Sequence, residues 1–116
     1  MRLNNDSIRE MLLKIEAVTD GIANYEITSF CKAEFPGIPA DEAVYHVKYL
    51  LDADFMQGKN GYFRDVTPTG RNFLNNVRDD KVWAETKKVT AKVGSVAINV
   101  LSEIAASVIK KMFGLP

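Results

Sequence analysis

At 116 residues the chain has the length of one domain, enough to bury a core but with little left for a second one. Its 47% hydrophobic and 26% charged residues exclude a disordered chain, and its single cysteine, Cys31, excludes an internal disulfide framework. Fifteen basic residues balance fifteen acidic ones, so no global positive field draws the chain onto phosphate, and any nucleic-acid site has to be a local patch.

The first ten residues lack the apolar stretch of a secretory signal, so the cytoplasm is the expected compartment. Ile8, Met11, Leu12, Ile15 and Val18 recur at helical spacing and predict a first helix over 6–19, ended by Gly21. Asn5 or Asp6 is placed to cap it, with Ser7 and Glu10 as an alternative capping box. From 24 to 35 the signals compete, and the expectation is a short strand around Tyr25 and Ile27 followed by a short helix.

Pro36, Gly37 and Pro39 break the chain, and Asp41 and Glu42 then supply the negative charge that suits a helix N-terminus. A helix is therefore predicted from Ala40, with Ala43, Val44, Val47, Leu50 and Leu51 on its core face. Glu42, Tyr45, His46, Tyr49 and Asp52 are left outside. Residues 55–57 and 62–66 read as two strands around Gly58-Lys59-Asn60-Gly61, because Asn-Gly readily takes the positive φ angles of a tight hairpin. Thr67 caps a further helix with Pro68 at its first position and Phe73, Leu74 and Val77 facing a core.

Beyond Asp79-Asp80 the apolar stripe runs through Val82, Trp83, Thr86, Val89 and Val93. It is broken by Gly94 and resumes as Ile98, Leu101, Ala105, Val108 and Met112, with Ile104 and Ile109 beside the seam. Such a face is too wide to be left in water. The expected division is a winged-helix domain over 1–79 and a helical tail over 80–116. The tail is read as an oligomerisation element using Val82, Trp83, Val89, Ile98, Leu101, Ile104, Ala105, Val108, Ile109 and Met112. Self-association is the simplest cover because the complementary surface is always present at equal concentration. Cover from the chain's own first helix has the same periodicity.

The segment Tyr45-His46-Val47-Lys48-Tyr49-Leu50-Leu51-Asp52-Ala53-Asp54-Phe55-Met56 is similar to the recognition helix and following strand of arsenic-repressor-like winged helices, which usually carry Gly where Asp54 stands. Thr67-Pro68-Thr69-Gly70-Arg71-Asn72-Phe73-Leu74 resembles the element that opens the helix after their wing. The whole chain, from Leu3-Asn4-Asn5-Asp6 through Arg78-Asp79-Asp80-Lys81-Val82-Trp83 to the tail, resembles a family of small bacteriophage and prophage proteins known as domain of unknown function 2513. The resemblance implies a mainly α winged helix-turn-helix with a small β-hairpin and a C-terminal helical extension. It implies no particular chemistry.

Tyr45, His46, Lys48 and Tyr49 have side chains suited to a major groove, and Lys59, Asn60 and Arg64 sit where a wing meets phosphate. The plain alternative is a solvated helix face and an ordinary turn, since Asp41, Glu42 and Asp52 oppose the single Lys48 on that helix. Cys31 and His46 lack the orienting signature of a nucleophile and base. No cofactor or metal site is expected, because the ligand types at recognisable spacing are missing. The expected function is a non-enzymatic phage-type regulatory protein that self-associates and binds duplex DNA or a host protein. The alternatives are a docking module that acts without DNA, or a peripheral membrane protein. A membrane surface is disfavoured because the tail's polar face carries Ser and Asn rather than cations until Lys110 and Lys111.

Overall fold

A computed structural model of the chain describes residues 1–92 and 96–116. Val93 and Gly94, read from the sequence as the end of one stripe and its break, lie outside the described residues. The fold is mainly α with a small antiparallel sheet, in a winged-helix-like order. It runs α1 (Asn5–Val18), β1 (Tyr25–Glu26), α2 (Ile27–Glu34), α3 (Ala40–Asp52), β2 (Met56–Lys59), β3 (Tyr62–Val66), α4 (Pro68–Val77), α5 (Asp80–Ala91) and α6 (Ile98–Met112). The residues group into two compact units, Met1–Arg71 and Asn72–Pro116, with α4 beginning in the first and ending in the second.

In the first unit, α1 starts one residue earlier than expected because Asn4, not Asn5 or Asp6, caps it, its Oδ1 accepting from Ser7 N at 3.0 Å. The helix ends at Val18, before Gly21, which takes a φ of +75° in the turn beyond. There Asp20 Oδ1 accepts from the amides of Ile22 and Ala23, both at 2.9 Å. Strand β1 is only Tyr25–Glu26, because the Glu26 carboxylate accepts from the amides of Thr28 and Ser29 and so starts α2 at Ile27. Ile27 is therefore a buried helical residue, not a strand residue.

The three strands lie in the order β1-β3-β2, all antiparallel. Asn60 and Gly61 form the β2–β3 turn with φ of +56° and +82°, the two positive angles of a two-residue hairpin. A register shift falls between Gln57 and Gly58, and a Cβ on Gly58 would come within 2.2 Å of Tyr62 O, so only glycine lets the strands close there. One sheet face carries Met56, Phe63 and Val66 into the core with Ile8, Met11, Leu12 and Ile15 of α1, and Phe30 stacks edge-on to Phe63 at 4.8 Å.

The end of α3 keeps the geometry expected where winged helices carry glycine. Asp54 itself adopts a φ of +63°, Phe55 N bonds Leu50 O at 2.9 Å, and Asp54 N bonds Leu51 O at 3.1 Å. The departure from glycine therefore alters the residue and not the turn. Thr67 closes the same corner, its Oγ1 donating to Asp54 O at 2.6 Å and accepting from Gly70 N at 3.0 Å, as its role as α4 cap requires.

In the second unit, Asp79 Oδ1 accepts from Lys81 N and Val82 N and caps α5. The inward face of α5 is Val82, Trp83, Thr86 and Thr90, and that of α6 is Ile98, Leu101, Ala105 and Val108. The two buried hydroxyls are satisfied within α5, Thr86 Oγ1 by Val82 O and Thr90 Oγ1 by Lys87 O. Among the described residues no helix is long and apolar enough to cross a membrane.

Candidate functional site

Of the side chains placed on the outer face of α3, Tyr45 is 39% exposed, Lys48 is exposed and Tyr49 is half-buried. His46 is not on that face. Its ring is fully buried, with Nδ1 2.7 Å from Glu42 O, while Nε2 accepts from Asn4 N at 2.9 Å. The Asn4 amide can only donate, so Nε2 is unprotonated and Nδ1 carries the proton to Glu42 O. The inward stripe of α3 is therefore Ala43, His46, Val47 and Leu50, rotated from the expected one, and Val44 and Leu51 are half-buried at its edges. A polar imidazole was counted outward because its partner lies forty-two residues away along the chain.

Lys59, Asn60 and Arg64 do come together, with Asn24, Gln57, Gly58 and Tyr62, around an open pocket of about 630 Å³ on the solvent side of the sheet. Tyr62 is 47% exposed and stands on the same sheet face as Arg64, two residues on, opposite to buried Phe63. Arg64 Nη2 donates to Gln57 Oε1 at 2.8 Å, whereas its Nε is buried without a hydrogen-bond partner among the described residues. The neighbouring Asp65 is taken up by Arg71, at 2.9 Å, so it does not neutralise the pocket. Lys48 and Lys59 make no ion pair among the described residues. Asn24 and Tyr62 were missed from the sequence; the β1–β3 pairing that brings Asn24 beside the wing rests on a strand of two residues.

Charge is divided unevenly along the chain. Residues 1–71 carry eight Lys or Arg against eleven Asp or Glu, and residues 72–116 carry seven against four. Within the first unit the wing pocket is thus a cationic spot on an acidic body.

Most of the stripe assigned to self-association is core. Val82, Trp83, Ile98, Leu101 and Ala105 are at most 5% exposed in the single chain and Val108 9%, so α5 and α6 cover one another and of these six Val108 keeps an edge at the surface. Val89 is 40% exposed because Thr90 takes the inward position instead, Met112 is 43% exposed, and Ile104 and Ile109 are half-buried.

Cys31 is buried, and burial first, then the charge of Glu26, pushes its thiol up to about 11. A thiol so placed stays protonated near neutral pH and is a poor nucleophile. Among the described residues no group of three or more His, Cys, Asp or Glu is placed to hold a metal ion.

No curated protein and no solved structure gives a significant match to the chain. A family model described as "Hypothetical protein (DUF2513)" matches residues 2–97, which takes in every element from α1 to α5. The chain therefore belongs to the DUF2513 family.

Proposed function

We propose that this chain is a non-enzymatic regulatory winged-helix protein, of bacteriophage or prophage type and acting in the cytoplasm, that engages duplex DNA through its wing with support from the outer face of α3. The observation that carries the reading is the wing pocket, where Lys59 and Arg64 lie beside the amides of Asn24, Gln57 and Asn60 and the ring of Tyr62 with no carboxylate among its lining residues. Cations and amide donors are the groups that hold backbone phosphate and sugar. On α3, Lys48 supplies a third cation and the Tyr45 hydroxyl a donor. His46, being buried, supplies nothing to the partner.

Three neutralised phosphates imply that log K falls with log salt at a slope of about −3, at roughly −0.9 per phosphate. Fluorescence anisotropy with a randomised duplex, titrated from low to physiological salt, reads this directly. Lys48→Glu with Lys59→Glu is expected to flatten the slope and weaken binding at least about ten-fold. Absence of duplex binding by the wild type at low salt removes the reading.

One observation favours a second reading. The outer face of α3 pairs two tyrosines with Asp41, Glu42 and Asp52 on an acidic unit, which suits a basic protein surface better than phosphate. In that reading the chain docks on a host protein without binding DNA, and Tyr45→Ala with Tyr49→Ala abolishes co-purification of that protein.

A further inference from the structure

With most of the expected interface residues buried inside the chain, part of the apolar surface left on the second unit forms a groove of about 400 Å³. Val89 of α5 lines it together with Glu103, Ile104, Ser107, Val108 and Lys111 of α6. Val100, 38% exposed, lies toward one end of α6, and Met112, 43% exposed, lies toward the other. Glu103 and Lys111 are both exposed and neither makes an ion pair among the described residues.

We propose that a second copy of this chain packs into this groove, α6 against α6 in antiparallel orientation, about a two-fold axis passing by Ser107. The order of groups along the helix points to this occupant. Glu103, Ser107 and Lys111 follow one another at four-residue spacing and so share a face, with an acid at one end, a base at the other and the smallest side chain at the centre. The two charges are separated by about 12 Å along the axis, at 1.5 Å per residue. A two-fold rotation about the centre sets Glu103 against the partner's Lys111 and Lys111 against the partner's Glu103, so both charges are answered at once.

A parallel pair would instead set Glu103 against the partner's Glu103. A two-fold interface uses the same patch twice and must be self-complementary, and this sequence of groups meets that requirement. Ser107 at the crossing lets the backbones approach, so that Ile104 and Val108 on either side of it meet apolar atoms of the other copy rather than water. The groove thus narrows the role expected of the whole stripe to Val89, Ile104 and Val108, joined by Glu103, Ser107 and Lys111.

Charge exchange tests this on the full chain, by size-exclusion chromatography with light scattering across a wide concentration range at low salt. The wild type is expected to dimerise. Glu103→Lys and Lys111→Glu, each of which puts two like-charged pairs into the dimer, are expected to raise the dissociation constant at least about ten-fold. The double exchange, Glu103→Lys with Lys111→Glu, is expected to return it to near the wild-type value. Circular dichroism confirms that each variant is folded, and the recovery in the double exchange separates repulsion from damage to the helix. A wild type that stays monomeric at every concentration overturns the proposal and leaves the groove to a foreign segment. Single exchanges without effect, or a double exchange that does not recover, overturn it equally. No nucleic acid is present in these measurements, so their outcome is independent of the DNA reading.

Discussion

His46 joins two segments that are far apart in the chain, bonding the amide of Asn4 through Nε2 and the carbonyl of Glu42 through Nδ1. Replacing it by alanine leaves the Asn4 donor without this partner and opens a void among fully buried neighbours, a combined cost of about 3 kcal/mol. Urea unfolding of His46→Ala is expected to show that loss. The folded fraction should bind its partner as the wild type does, since the ring does not reach the surface. A variant that kept its stability but lost binding would return the imidazole to the outer face. The sequence could not reveal this burial, because helical periodicity sorts residues by polarity and His46 is polar. Its hydrogen-bond partner is a backbone amide, which carries no side-chain signal. Asp54 shows the converse. Arsenic-repressor-like winged helices usually carry glycine at this position, yet an aspartate can take the left-handed conformation, and Asp54 does so at +63°.

At the scale of the element, local chemistry was legible wherever it is contained in a few residues. The Asn60-Gly61 turn, the Thr67-Pro68 helix start and the α3 start at Ala40 each follow from steric or capping rules acting within one turn of chain. Glu26 was not legible as a cap, because glutamate is an uncommon N-cap and the same stretch reads as strand. Its carboxyl is held below the ordinary range by the amide of Thr28, then by the hydroxyl and amide of Ser29. Asp20 is likewise lowered, by the amides of Ala23 and Ile22.

A carboxyl with a folded value below its unfolded one adds stability that is present above the unfolded value and lost as the pH falls through the folded one. The contribution of Glu26 is therefore complete above about pH 4.5 and disappears on further acidification. Glu26→Gln should lower the thermal midpoint at neutral pH and converge with the wild type as the pH drops below that point. Parallel curves for the two proteins down to strongly acidic pH would show that the carboxylate does not anchor α2.

For the whole molecule, the amphipathic stripe of the C-terminal helices was legible and its cover was not, since a helix face looks the same whether its neighbour is α5 or another chain. The two units also differ in what holds them. Met1–Arg71 combines three helices with a sheet that ties β1 to β3 and β3 to β2, so its core is closed by contacts distant in sequence. Asn72–Pro116 has about 45 residues, near the size at which a chain buries too small a fraction of its surface to be firmly stable alone. Among the described residues, bonds that join α4 to α6 include two long ones, from Asn76 Nδ2 to Ser102 O and Oγ, at 3.4 Å.

Native-state hydrogen exchange at low protein concentration should therefore find α6 amides such as those of Leu101 and Ala105 opening at least about ten times more readily than those of Leu12 in α1 and Leu50 in α3, as expected when local openings cost less than global unfolding. Association through α6 would stabilise that unit by mass action, so raising the concentration should slow exchange in α6 while leaving Leu12 and Leu50 unchanged. Uniform protection across both units at low concentration would mean that they unfold as one. A gap that persisted unchanged at high concentration would place any association elsewhere on the chain.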